Sequence, residues 1–183
     1  MRPHRPSAFP ALLAILSLMA MGPAAAVVGE SPLQYKQRYG AATHEMNIDE
    51  DHPGLVYQKK PYAIFAAFEG GRSVGEMIFK ANGMSEVDIA NLLKQNSPGW
   101  NWRKENIVMG KGDEEKMRAQ GILKVEMWSR IDGKCFATFM RMAIGDAKTP
   151  SQLDALLVGT QAGVKLVTEM AAMNKQWVPK PVK

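Results

Sequence analysis

The sequence predicts an α+β domain: an antiparallel sheet of four to five strands, helices packed on its faces, and a long helix at the C-terminus. Three observations carry this expectation. Two stretches rich in apolar and aromatic residues fold back on themselves around short glycine turns, at Gly70-Gly71 and Asp132-Gly133. Three segments open with helix-start signals, at Ser31, Ser85 and Thr149. No repeat or low-complexity tract interrupts the chain, so one domain spans 27–174 and a flexible tail follows over 175–183.

The first helix starts at Ser31-Pro32-Leu33-Gln34, with serine at the N-cap, proline at the first helical position and glutamine at the capping-box position. Gly40 stops it. The second opens at Ser85-Glu86-Val87-Asp88, carries Ile89, Leu92 and Leu93 on one face, and ends between Asn96 and Gly99. Thr149-Pro150-Ser151-Gln152 repeats the first pattern. It predicts the longest helix, to about Asn174, with Leu153, Leu156, Leu157, Val164, Val167 and Met170 at helical spacing.

The first hairpin pairs Tyr62–Glu69 with Arg72–Lys80. A two-residue turn pairs Ala66 with Gly75, Ile64 with Met77 and Tyr62 with Phe79. Tyr62, Ile64, Ala66, Phe68, Met77 and Phe79 then share a core face. The opposite face, with Ala63, Phe65, Ala67, Val74 and Ile78, is too apolar to lie bare. The second hairpin pairs Arg130 with Cys135, Trp128 with Ala137, Glu126 with Phe139 and Val125 with Met140. Its expected inner face is Leu123, Val125, Met127, Phe136, Thr138, Met140 and Met142. Leu55 to Lys60 reads as an edge strand and Trp100 to Val108 as a short irregular one. Ala41 to Pro53 and Gly110 to Gly121 read as polar loops.

The N-terminus carries Arg2, His4 and Arg5, an apolar run from Ala11 to Met21, the break Gly22-Pro23, and Ala24-Ala25-Ala26. This is the pattern of a secretory signal cleaved near Ala26. The run is too short for a stable membrane span, and no later segment offers one. The expected location is therefore secreted or periplasmic. Two of the 23 basic residues lie in the signal and no acidic ones do, which lowers the charge from +5 to +3. So mild a charge does not argue for nucleic acid. Cys135 is the only cysteine, so no internal disulfide forms and the apolar core must supply the stability.

Arg38-Tyr39-Gly40, the Gly70-Gly71 hairpin, Leu92-Leu93-Lys94-Gln95-Asn96 before Trp100, and Trp128-Ser129-Arg130-Ile131-Asp132-Gly133 with Ala137 occur in that order. Together they resemble a group of short secreted bacterial proteins, over roughly Ser31 to Met142. That group has no assigned activity. The resemblance implies export and brings no catalytic residue with it.

Candidate chemistry is sparse. Cys135 with a histidine would make a nucleophilic pair, but it sits beside a hairpin turn and not at a helix N-terminus, where a thiolate is stabilised. His44 and His52 flank Glu45, Asp49, Glu50 and Asp51, residue types suited to zinc at a spacing that matches no compact motif. Met140 with Met142, and Met170 with Met173, offer thioethers for Cu(I), yet both pairs fall on expected core faces, where methionine fills space. No cofactor motif is visible. The strongest candidate is the outer face of the second hairpin, where Trp128 and Phe139 lie among Lys124, Arg130 and Arg141. Aromatic faces beside cations suit a glycan, an anionic polymer or a protein partner. In the C-terminal helix, Gly159 and Gly163 share a face with Ala155. Glycines that cost about 1 kcal/mol each in a helix point to close backbone approach, either to the first hairpin, where Ala63, Ala67 and Gly75 are small, or to a second copy as a homodimer.

The sequence thus favours an exported, non-enzymatic envelope or extracellular protein that binds a partner through an aromatic-basic sheet face. The alternatives are a hydrolase of envelope material and a periplasmic metal-handling protein.

Overall fold

The computed structural model describes residues 28–108, 110–119, 121–144 and 151–173. The expected signal segment over 1–26 and the expected tail over 175–183 lie outside them. The described chain runs α1 (Pro32–Tyr39), β1 (His44–Asn47), β2 (Pro53–Lys59), β3 (Tyr62–Glu69), β4 (Arg72–Ala81), α2 (Glu86–Asn96), β5 (Trp102–Glu105), α3 (Lys111–Ala119), β6 (Ile122–Arg130), β7 (Phe136–Ile144), β8 (Ser151–Gly159) and α4 (Gln161–Met173). All eight strands form one antiparallel sheet in the order β1-β2-β3-β4-β8-β7-β6-β5. The expected α+β fold with four to five strands is therefore corrected. The protein is mostly sheet, with four short helices among the described residues.

The largest correction lies at the C-terminus. The segment expected as one long helix is a strand, β8, followed by the 13-residue α4. β8 sits between β4 and β7, and every residue from Leu153 to Gly159 is buried. A strand buried on both faces carries apolar residues in near-continuous runs, so Leu153, Leu156 and Leu157 fit a helical period as well as a strand. The real helix start is Thr160, whose Oγ1 accepts a hydrogen bond from Gly163 N at 3.0 Å.

α1 and α2 form as their caps predict. Ser31 with Gln34, and Ser85 with Asp88, each close a reciprocal capping box. Lys80 beside Asp88, with further hydrogen bonds from Ser85, holds the Asp88 carboxyl well below the usual carboxylate range. Two expected loops contain elements: β1, which pairs with β2 and so removes β2 from the edge, and the polar helix α3.

In the first hairpin Gly70 and Gly71 both take positive φ, as a two-residue turn requires. Glu69 pairs with Arg72 and Phe68 with Ser73, and then a bulge shifts the register. Beyond it Ala67 faces Gly75, Ile64 faces Ile78 and Tyr62 faces Lys80. One extra residue moves every later side chain of β4 to the other face. Ile78 thus joins Tyr57, Ile64, Ala66 and Phe68 on the front face, under Tyr35 of α1 and Ile89, Leu92 and Leu93 of α2. Met77 and Phe79 join Val56, Ala63, Phe65 and Ala67 on the back face, under Leu166, Val167 and Met170 of α4. Both faces are covered, as their composition demands.

The bulge also carries Glu76 into the front core. Its side chain is fully buried, Tyr35 Oη donates to Oε2 at 3.3 Å, and Oε1 has no hydrogen-bond partner among the described residues. Burial raises its pKa from the ordinary 4.5 to about 8, against the opposing pull of the Asn96 and Tyr35 side chains. A carboxyl that ionises near pH 4.5 unfolded and near pH 8 folded gives stability that is complete below the first value. That stability is lost as pH rises through the second. Glu76→Gln is expected to remove this loss. Stability at pH 8 should rise by roughly 2–4 kcal/mol, with little gain at pH 4.5. Urea denaturation at both pH values checks it, and an equal gain at both would mean that Glu76 titrates normally.

Candidate functional site

The second hairpin keeps the register expected from its sequence: Ser129 pairs with Phe136, Trp128 with Ala137, Glu126 with Phe139 and Val125 with Met140. The turn itself differs. Only Gly133 takes positive φ, Gly133 N donates to Arg130 O at 2.8 Å, and Arg130 N donates to Cys135 O at 2.9 Å. A four-residue loop from Ile131 to Lys134 thus replaces the two-residue turn without moving the pairing.

The polarity of this hairpin is the reverse of the expectation. Ala137 and Phe139, assigned to the outer face, are fully buried in the front core. Leu123 and Met127, assigned to the inner face, are 60% and 38% exposed on the back. α4 packs on β3, β4 and β8, and Val125, Phe136, Met140 and Met142 behind β6 and β7 remain half-exposed. The charged front face tolerates burial because its charges are paired. Arg141 donates to both carboxylate oxygens of the buried Asp154, through Nε at 3.1 Å and Nη2 at 2.8 Å. Lys104 and Lys124 both bond Glu126. Burial pushes the Glu126 carboxyl up, but the two lysines outweigh it and hold it below its ordinary range.

The five residues singled out in the sequence all lie on this front face, in different roles. Phe139 is a floor residue, with the Lys124 ammonium 6.0 Å and the Arg141 guanidinium 5.6 Å from its ring centroid. Arg141 is committed to Asp154. Trp128 is half-buried, with Lys104 over its ring at 5.5 Å. Arg130 is clamped by Asp132 at 2.8 and 2.7 Å, which raises its pKa, and its guanidinium lies 5.2 Å from the Trp100 ring centroid.

Trp128 also forms one wall of a cleft of about 530 Å³ between the end of α2 and strand β5. Leu93, Lys94 and Ser97 line it from the helix, and Trp100, Trp102 and Trp128 from the sheet side. Trp102 is fixed by its indole N–H, which donates to Leu93 O at 2.8 Å and satisfies a carbonyl at the C-terminus of α2. Trp100 is 49% exposed. The Ser97 hydroxyl is buried and has no partner among the described residues. Aromatic walls with cations at the rim can stack a flat or sugar-like group. Trp100, Trp102, Lys94 and Ser97 were missed in the sequence. Two tryptophans two residues apart in a segment read as irregular were their signal.

The other candidates do not assemble. Cys135 is buried, not partly exposed as a residue beside a turn would be, and burial pushes its thiol up. It precedes β7, whereas His44 and His52 lie at the β1 edge of the sheet, so no cysteine–histidine pair forms among the described residues. His52 is held by Asp49 at 2.6 Å, which raises its pKa, with Glu69 at 3.6 Å. Among the described residues no group of three or more His, Cys, Asp or Glu side chains is placed to hold a metal. Met170 packs on Gly54 and Met46 in the back layer. Gly159 and Gly163 approach Val74 and Gly75 of β4, so the close backbone contact is made within the chain. No described helix is long and apolar enough to cross a membrane.

No protein-family model and no curated protein matches the chain. Among solved structures, a cysteine-rich secretory protein from Staphylococcus aureus aligns at 11% identity with a TM-score of 0.38, over 74% of this chain and 45% of that one. The chain thus spans less than half of that protein, and a likeness this slight carries no argument about fold or function.

Proposed function

We propose that this is an exported, non-enzymatic protein of the bacterial envelope or exterior, which binds a glycan or anionic partner through the tryptophan-lined cleft on the front of the sheet. The convergence of Trp100, Trp102 and Trp128 on one open cleft carries the reading. Lys94 on its lining, and the surplus charge of Lys104 and Lys124 over the single Glu126, favour an anionic or hydroxyl-rich ligand. The signal pattern before Val27 supports export. The separation of Cys135 from both histidines weighs against a nucleophilic enzyme.

Tryptophan fluorescence, titrated with soluble peptidoglycan fragments and with a polyanionic glycan, tests this function. One of the two should quench or shift the emission. Trp100→Ala should weaken that binding by about tenfold or more while changing stability by less than about 1 kcal/mol, because the ring is half-exposed. Binding that survives both Trp100→Ala and Trp128→Ala, or no binding of either glycan, would overturn it.

A further inference from the structure

A second cavity, of about 390 Å³, lies along a different face of α2 from the tryptophan cleft: Asp88, Leu92 and Gln95 border it, whereas Ala90, Leu93 and Lys94 border the cleft. Its apolar surface comes from Ile64, Ile78 and Leu92, and the Tyr39 and Tyr62 rings also line it. Ile78 is there because of the bulge in β4, which turned it to the front face. Three lysines, Lys59, Lys60 and Lys80, and one carboxylate, Asp88, supply the charge.

These charges are not equivalent. Lys80 is neutralised by Asp88 at 2.7 Å, and Tyr62 Oη donates to the same carboxylate at 3.3 Å. Lys59 is held in place by a neutral acceptor, the Arg38 carbonyl at 2.9 Å, and lies 5.7 Å from the Tyr39 ring centroid. Lys60 is exposed at the β2–β3 turn and makes no ion pair with any described residue. Two positive charges therefore remain uncompensated beside an apolar pocket whose size suits a small molecule. The pocket also lacks a partner for Asp88 to recruit, since that carboxylate is already occupied by Lys80, Ser85 and Tyr62.

From this juxtaposition we infer a second binding site, independent of the tryptophan cleft, for a small amphipathic anion: a carboxylate or similar head group on an alkyl or aryl body. The body lies against Ile64, Ile78 and Leu92, between the two tyrosine rings. The head group meets Lys59 and Lys60. Neither half suffices alone. An inorganic anion would leave the apolar pocket unfilled, and an uncharged hydrocarbon would leave the lysines without a counter-charge.

Octanoate and 1-octanol, matched in body and different in charge, are the probes. Each is titrated into the whole protein by calorimetry and by methyl NMR. Octanoate should bind, shift the Ile64, Ile78 and Leu92 methyl signals, and bind about tenfold or more tighter than octanol. Lys60→Glu, at an exposed position with no ion pair to lose, should leave the fold intact and weaken octanoate by about tenfold or more. The site is refuted if octanoate does not bind at millimolar concentration or if octanol binds equally well. It is also refuted if Lys60→Glu binds unchanged, or if the shifts map to the Leu93 methyls of the tryptophan cleft or to the half-exposed back face at Leu123 and Met127. Failure here leaves the glycan titration at the tryptophan cleft unaffected, and the reverse holds too.

Discussion

Gly163→Ala is expected to destabilise the protein by about 3 kcal/mol or more. A Cβ at Gly163 would stand 1.8 Å from the carbonyl oxygen of Val74 and 2.2 Å from its carbonyl carbon. Both are backbone atoms of a central strand and cannot rotate away. α4 would have to lift from the sheet, and Leu166, Val167 and Met170, which close the back core, would lift with it. The sign makes this informative. Gly163 lies in the first turn of α4, where helix propensity alone favours alanine by up to about 1 kcal/mol. Only the tight contact predicts a loss. Gly112, in the first turn of α3, has nothing within 4 Å of the same virtual atom, so Gly112→Ala should leave stability unchanged or slightly raised. Urea denaturation of the two variants compares them directly. A Gly163→Ala protein as stable as Gly112→Ala would mean that α4 does not rest on Val74 and Gly75.

The same contact shows what the sequence could and could not reveal. Gly159 and Gly163 pointed to a close backbone approach and to Gly75 as a partner, and both hold. The element was wrong, because Gly159 ends a strand and only Gly163 is helical. Local chemistry was legible at two helix caps and one turn, and misleading at Thr149-Pro150-Ser151-Gln152, where a strand begins, and at Asp132-Gly133, where the loop is longer. Ser31 with Gln34 and Ser85 with Asp88 placed two helix starts, and Gly70-Gly71 placed a turn. What depends on remote partners was not. The bulge after Phe68 has no local signature, yet it decides that Glu76 and Ile78 face the front. β8, apolar from Ala155 to Val158, reads as helix or strand until β4 and β7 are placed on either side of it. For the candidate site, the register of β6 and β7 put Lys124, Trp128, Arg130, Phe139 and Arg141 on one face. Which face meets the core depended on where α1, α2 and α4 pack. A row of charged residues suggested solvent, whereas pairing of Arg141 with Asp154 and of Glu126 with two lysines lets that row lie over the core.

That pairing makes Asp154→Ala the second large effect, at about 3 kcal/mol of lost stability. Asp154 is fully buried in β8 and accepts from four nitrogens: Arg141 Nε and Nη2, the Met84 backbone N–H at 2.7 Å, and the Gln152 amide at 3.0 Å. Alanine would strand the guanidinium above Phe139 and leave the Met84 N–H, also buried, without its acceptor. Arg141 keeps a 30% exposed side chain, so water recovers part of its hydration and the loss should fall at the low end for a broken buried pair. The damage should also be local before it is global. Met84 leads directly into the Ser85 cap of α2, and Arg141 Nη2 holds the Met84 carbonyl at 3.1 Å. Hydrogen exchange at Met84 and through the first turn of α2 should therefore accelerate more than exchange in β3. Asp154→Asn, which keeps an acceptor for Met84, should cost less than Asp154→Ala. If instead the alanine variant unfolds within about 1 kcal/mol of the parent, or α2 exchanges at its original rate, Asp154 is not the tie between α2 and the sheet.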